Sequence, residues 1–342
     1  MTKALTIDGV TIKKGERKYL EMHIAKLFDN TEMTIPVEVI RGKENGPTLF
    51  VSSAIHGDEI NGVETIRRLL QRKKLLSSIK GTLIAVPIIN VFGYNRNLRY
   101  LPDRRDLNRV FPGSKKGSLA SQIAYKFMKE IVEKCEYGID LHTGSAHRYN
   151  LPQIRAFLDN KEIKALAEAF GVPVILHSNM RDGSLRQAAT EKGVKILLFE
   201  GGEALRYNEE IIRSAENGIL WTMCNIGMLD KELIKRKVPK RREVFYAASS
   251  HWIRAPHSGS LHARKNVGHK VKKNEVLGFI SDPLGKEKHY VKARETGVII
   301  GITMLPLVTN GDALFHIATF ENAEAVAEGV AEGVEDYQED LE

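Results

Sequence analysis

The chain has 342 residues, 42% of them hydrophobic and 27% charged, enough for one large core or two domains. No apolar run approaches the ~20 residues of a membrane span. The start, Met1–Gly9, also lacks the apolar stretch of a signal peptide, so a cytoplasmic protein is expected. The net charge of +8 hides an asymmetry: residues 321–342 hold nine acids and no Lys or Arg, so residues 1–320 carry +17.

Residues 1–40 read as a β-rich lead-in. Leu49, Phe50, Val51, Ala54 and Ile55 then predict a buried strand, ended by His56-Gly57-Asp58-Glu59. Ile60, Val63, Ile66 and Leu70 follow at helical spacing. An imidazole and a carboxylate three residues apart, at the C-terminal end of a strand, can turn toward one point, where open α/β sheets hold ligands. The pair suits zinc, which accepts His nitrogen and carboxylate oxygen and keeps one position open in catalytic sites. Alone, H-x-x-E more often describes a surface His beside a helix-start Glu. A third ligand and a base decide between the two.

Leu83–Ile89 reads as the next strand. The loop after it carries Arg99, Arg104, Arg105, Asp106, Asn108 and Arg109, with Pro102, Pro112 and Gly113 marking it as irregular. Arginine forks pair with carboxylates and Asn adds directional hydrogen bonds, although a solvated basic loop or a phosphate site has the same composition. Leu119–Lys134 predicts a helix. Tyr137–Leu141 predicts a strand ended by His142-Thr143-Gly144, placed as His56 is. A short helix over Lys161–Phe170 and a strand over Val172–Leu176 precede a third apolar run, Val194–Phe199. That run ends in Glu200 and Gly201-Gly202, where a carboxylate is well placed as a general base. Asn208–Gly227 predicts a further helix. Cys135 and Cys224 lie far apart inside helical patterns and argue against a disulfide framework.

Basic residues concentrate in Lys231–Arg242, read as a linker around Pro239. From Val244 the texture changes to short strands and glycine turns, and His251–Gly259 recurs loosely as Tyr290–Gly297. This part resembles a biotinyl/lipoyl-type barrel-sandwich domain. It lacks the Met-Lys-Met signature of carrier domains, so a cap over a cleft is expected rather than a covalent cofactor. The organisation expected is an α/β domain over 1–240, an all-β domain over 241–320 and an acidic, disordered or frayed tail over 321–342.

His56-x-x-Glu59, Asp106-Leu-Asn-Arg109 and Asp140-Leu-His142-Thr-Gly, with Glu200 at a later strand end, resemble the succinylglutamate desuccinylase/aspartoacylase family of the zinc carboxypeptidase superfamily. The match spans roughly residues 40–230, and the attached β module is similar to the predicted-deacylase branch. The resemblance implies an α/β fold, a mixed sheet flanked by helices. It implies one zinc per chain held by His56, Glu59 and His142, with Glu200 as base and proton shuttle. Asn108 and Arg109 would hold a substrate carboxylate, Arg99 would polarise the scissile carbonyl, and Asp106 would orient the first imidazole.

The activity implied is hydrolysis of the amide of an N-acyl amino acid or related small carboxylate. A zinc carboxypeptidase needs the same zinc, base and clamp, and ester hydrolysis is open to the same site. A catalytically silent binding protein on this scaffold would be marked by loss of a ligand or of the base, and none is lost. The basic total invites a nucleic-acid reading, but the basic run has no interleaved aromatics. The expected partner is therefore a small-molecule carboxylate, with no nucleic acid and no membrane, and assembly into a homo-oligomer is compatible with this. His177, Arg148, Tyr149 and Arg181 are further candidates for the pocket wall.

Overall fold

The computed structural model describes residues 4–178, 181–234 and 244–329. Most of the basic run and residues 330–342 of the acidic tail lie outside the described residues. The lead-in forms a short hairpin, β1 (Leu5–Ile7) with β2 (Val10–Ile12), and two long strands, β3 (Arg17–Lys26) and β4 (Glu32–Arg41). β4 alternates buried and less buried residues, the mark of a strand with one covered face. The strands β5 (Thr48–Ser53), β6 (Thr82–Val86) and β7 (Tyr137–Gly144) are instead buried almost throughout. Parallel strands covered on both faces carry such continuous apolar runs.

The cover comes from helices whose apolar stripes face the sheet. On one face lie α1 (Asn61–Gln71), α5 (Lys161–Phe170) and α7 (Glu209–Asn225), with Ile66, Phe170 and Ile219 in one cluster. On the other lie α4 (Leu119–Glu130) and α6 (Leu185–Glu191), with Phe127 and Ala188 in a second cluster. Two short helices, α2 (Lys73–Leu76) and α3 (Val91–Arg96), fill connections. The predicted helix over Leu119–Lys134 stops at Glu130, where β-branched Ile131 and Val132 succeed each other, and tightens to a 3₁₀ turn over Val132–Lys134. Buried Cys135 thus falls just past the helix and not inside it.

Three more strands complete this half: β8 (Arg148–Ala156), β9 (Val174–His177) and β10 (Lys195–Glu203). The central order is β8-β10-β7-β5-β6-β4-β3, with β5, β6, β7 and β10 parallel and β8 antiparallel to β10. β8 was not expected from the sequence, and it contains Pro152, which cannot donate to a ladder. In the fold Pro152 falls in a gap. β17 (Gly297–Thr303) pairs with β8 only as far as Asn150, and β9 takes over from Gln153.

The C-terminal strands are β11 (Phe245–Ala247), β12 (Ser249–Arg254), β13 (Gly259–Ala263), β14 (Lys270–Val271), β15 (Val276–Ser281), β16 (Lys288–Lys292), β17, β18 (Leu307–Val308) and β19 (Ala313–Thr319). β11 pairs in parallel with β9; the others form two antiparallel layers, β16-β15-β13-β18 and β12-β19-β17 with β14 on β17, around a core that includes Leu277, Ile299 and Phe315. Glycines of the loose repeat, Gly259 and Gly297, open β13 and β17. Backbone bonds from β17 to β8 make the second layer continuous with the central sheet. The C-terminal strands therefore reach the edge that carries the candidate site.

Gly57 in the turn after β5 packs so closely on α3 that an added Cβ would lie 2.1 Å from the Gly93 carbonyl carbon. Gly57→Ala is expected to lower stability by at least about 1–3 kcal/mol, the usual cost of forcing extra volume into a packed site. An unchanged urea midpoint would contradict this packing.

Candidate metal centre and cavity

The parallel strands β5, β7 and β10 end on one edge of the sheet, and each delivers a chemical group there. After β5, Ala54 takes a left-handed φ of 47°, uncommon for a residue with a side chain, and the chain turns His56 and Glu59 inward. His142 ends the apolar part of β7. Glu200 lies directly beside it in register on β10.

Glu59 is the centre of the cluster, 2% exposed. Its two oxygens meet His56 Nδ1 at 2.7 Å and His142 Nδ1 at 2.8 Å. The outer nitrogens are also held: His56 Nε2 lies 3.0 Å from Asp106 and His142 Nε2 lies 2.8 Å from Asp140. Asp140 in turn accepts from Ser52 Oγ at 2.8 Å, and the Thr143 amide donates to Glu59 at 3.2 Å. Arg99 donates to Glu59 at 3.1 Å and to Asp106 at 3.0 Å. Burial opposes every charge here, but the imidazoles outweigh it and hold the Glu59 carboxyl well below the usual range. Burial likewise pushes the imidazoles down, yet the carboxylates around them raise both, His142 well above its ordinary value.

The residues fit a divalent cation. One donor atom from each of His56, Glu59 and His142 lies within 4.8 Å of the others, and all three residues are buried. Two imidazolium rings and Arg99 balance Glu59, Asp106 and Asp140. Replacing the two inner protons by one doubly charged ion leaves that balance unchanged. The outer carboxylates fix each ring with one nitrogen inward, the arrangement that metal-binding imidazoles require.

Glu200 stands across from this cluster, its Oε2 accepting from Asn150 Nδ2 at 2.7 Å and its Oε1 3.8 Å from Arg155 Nε. Asn108 is buried and accepts from the Leu185 amide at the start of α6, at 2.9 Å. The Arg109 side chain beside it donates, among the described residues, to its neighbour's carbonyl at 2.5 Å. Burial, then the Arg181 and Arg99 charges, lower its pKa, while Asp106 opposes them. These groups open on a cavity of about 400 Å³ whose wall holds seven arginines against Glu59 and Glu200.

All eight residues singled out in sequence meet here, seven on the cavity wall and Asp106 behind His56. Among Arg96, Arg99, Arg104 and Arg105, Arg99 alone lines the cavity. Arg148 and Arg181 line it as well. Tyr149 bonds Glu210 instead, and His177 packs on Phe157 near Asp159. Asp140 received no role from the sequence, although it stands two residues before His142 on a strand and so shares its face. Asn150 and Arg155 were missed because only the pairing of β8 with β10 and β17 brings them to the cavity; Arg186 reaches it from α6, and Trp252 and Arg254 from β12, which pairs with β19.

Fold and site together define an α/β protein with a candidate metal centre at the C-terminal edge of its parallel strands. The model of the succinylglutamate desuccinylase/aspartoacylase catalytic domain matches residues 45–225, and the chain belongs to this family of amide-bond deacylases. The N-alpha-acetyl-L-2,4-diaminobutyric acid deacetylase of Halomonas elongata is 28% identical over 296 residues, 83% of this chain and 85% of that protein. The succinylglutamate desuccinylase/aspartoacylase structure from Rhodobacter sphaeroides shares the fold with a TM-score of 0.78 at 22% identity, covering 89% of this chain and 96% of that one. The product-bound ectoine utilization protein EutE (DoeB) from Ruegeria pomeroyi gives 0.78 at 22%, covering 89% and 94%. No helix among the described residues is long and apolar enough to cross a membrane.

Asp140→Asn keeps the shape of the group behind His142 and removes its charge. Affinity for a divalent cation is expected to fall about 10–100-fold with the fold retained, as for other partners of metal-bound imidazoles. A metal titration matching wild type would show that Asp140 does not act through His142.

Proposed function

We propose that this chain is a zinc-dependent hydrolase that cleaves the amide of an N-acyl amino acid or a related small carboxylate. The observation that carries the reading is the pair of buried imidazoles facing Glu59, each fixed from behind by a carboxylate, with Glu200 beside them in register. Zinc held by His56, Glu59 and His142 would supply Lewis acidity, making water acidic enough to ionise near neutral pH and drawing charge from a carbonyl oxygen. Glu200, steadied by Asn150, takes a proton from the attacking water and passes it to the leaving nitrogen, so that water and amide yield carboxylate and amine. Arg99 keeps N–H donors beyond its bonds to Glu59 and Asp106 and turns them to the oxygen that gains charge. Arg109, with no carboxylate bonded among the described residues, receives the substrate carboxylate, and the amide of Asn108 stands beside it. The C-terminal strands wall the cavity as a cap.

Two variants test this. Glu200→Gln is nearly isosteric but cannot take the proton, so it should keep its zinc and lose about 10²–10⁴-fold in turnover of N-acyl amino acids. Turnover like wild type would remove Glu200 from the chemistry. Arg109→Lys keeps the charge and loses the fork, and kcat/KM should fall roughly 10–150-fold on a carboxylate substrate. The loss should be much smaller on the analogue with a neutral amide. Equal losses on both would make Arg109 a support of its loop.

A further inference from the structure

Asn150 holds Glu200 from the side, and behind Asn150 the sheet runs on into the C-terminal strands as one row of paired residues. Asn150 on β8 stands opposite Gly301 on β17, Gly301 opposite His316 on β19, and His316 opposite Trp252 on β12. Residues directly opposite one another in neighbouring strands share a face of the sheet. The row therefore lies on the side of the cavity, which Asn150 and Trp252 both line. His316 is buried between them and stacked on the Trp252 ring, with centroids 4.6 Å apart and planes within 9°.

A carboxylate only accepts hydrogen bonds, so the Asn150 amide presents Nδ2 to Glu200, at 2.7 Å, and turns its oxygen the other way. That oxygen lies over Gly301. A Cβ added to the glycine would stand 2.8 Å from Asn150 Oδ1 and 3.3 Å from His316 Cβ, so the lack of a side chain keeps the space between them open. Asn150 Oδ1 and His316 Nδ1 are both buried, and neither has a hydrogen-bond partner among the described residues. Gln153, opposite Glu200 in register, leaves both atoms of its amide in the same state, and Arg155 leaves its Nε. Folded proteins leave few such atoms unbonded, and ordered water is their usual partner. Burial, with the Arg155 and His251 charges adding to it, pushes the His316 imidazole down to about 3. The ring is thus neutral near pH 7, with one nitrogen that donates.

We propose that His316 is a positioning residue for Glu200: through one ordered water over Gly301, its Nδ1–H holds the Asn150 oxygen and locks the amide with Nδ2 on the Glu200 carboxylate. This deepens the hydrolase reading and rests on it, because Glu200 is the base there. Without a donor on its oxygen the amide is free to turn. A turned amide sets oxygen against carboxylate and pushes Glu200 away from the attacking water. The C-terminal strands then steady the base as well as walling the cavity.

A crystal structure of the full-length wild-type protein, at a resolution that shows ordered water, should place one water about 2.7–3.2 Å from both Asn150 Oδ1 and His316 Nδ1. Kinetics use the N-acyl amino acid that the wild type turns over fastest. His316→Gln carries its amide to the Nε2 position and away from Nδ1. It should lower kcat about 2–10-fold with KM unchanged, the weight of one neutral hydrogen bond. His316→Asn, whose amide overlays Nδ1, should restore most of the loss. In the Asn150→Ala background His316→Gln should change kcat no further, because the two act as one unit. A wild-type structure with no water joining the two atoms overturns the proposal. So does a wild-type kcat in His316→Gln, or a loss that persists in full without Asn150. The wild-type structure reads no activity and needs no variant to fold, so its failure leaves the hydrolase reading intact. Failure of that reading appears separately, as turnover surviving in Glu200→Gln.

Discussion

One carboxylate shared between two buried imidazoles organises this protein. Glu59 has almost no contact with water, and its charge is held by the ring nitrogens of His56 and His142, with Arg99 and the Thr143 amide adding donors. Each ring then needs a partner for its outer nitrogen, which brings in Asp106 and Asp140. Those carboxylates need partners in turn, which Arg99 and Ser52 supply. Removing either imidazole takes away one of the two ring nitrogens that face the Glu59 carboxylate. The cluster is able to bind a divalent cation, and exchanging two protons for one such ion would leave the net charge unchanged.

The sheet supplies the distances. In-register pairing sets Ser52 opposite Asp140 across β5 and β7, and His142 opposite Glu200 across β7 and β10. Groups from three distant parts of the chain therefore meet without long loops. β8 runs the other way, so its N-terminal end returns to the same edge with Asn150 against Glu200. β17 continues the sheet from β8, and Trp252, Arg254 and Ala313 of the C-terminal strands line the cavity.

What the sequence disclosed follows from which forces are local. Apolar runs ending in His56, His142 and Glu200 mark buried parallel strands and the edge where they stop, and both are visible in one dimension. Amphipathic spacing placed α5 and α7 nearly to the residue. Asp140 was within reach by strand alternation. β8 was not, because Pro152 argues against a strand and its tolerance depends on where two other strands begin and end. The cationic wall was hidden for the same reason: Arg155 and Arg254 reach the cavity through sheet pairing between segments far apart in the chain.

The most direct test of the account is anomalous diffraction at the zinc edge from crystals of the wild-type protein grown with zinc. One strong peak per chain is expected, about 2.0–2.2 Å from His56 Nδ1, a Glu59 oxygen and His142 Nδ1, with Asp106 and Asp140 still bonded to the outer nitrogens. A peak elsewhere, with Glu59 still bonded directly to both imidazoles, would contradict it.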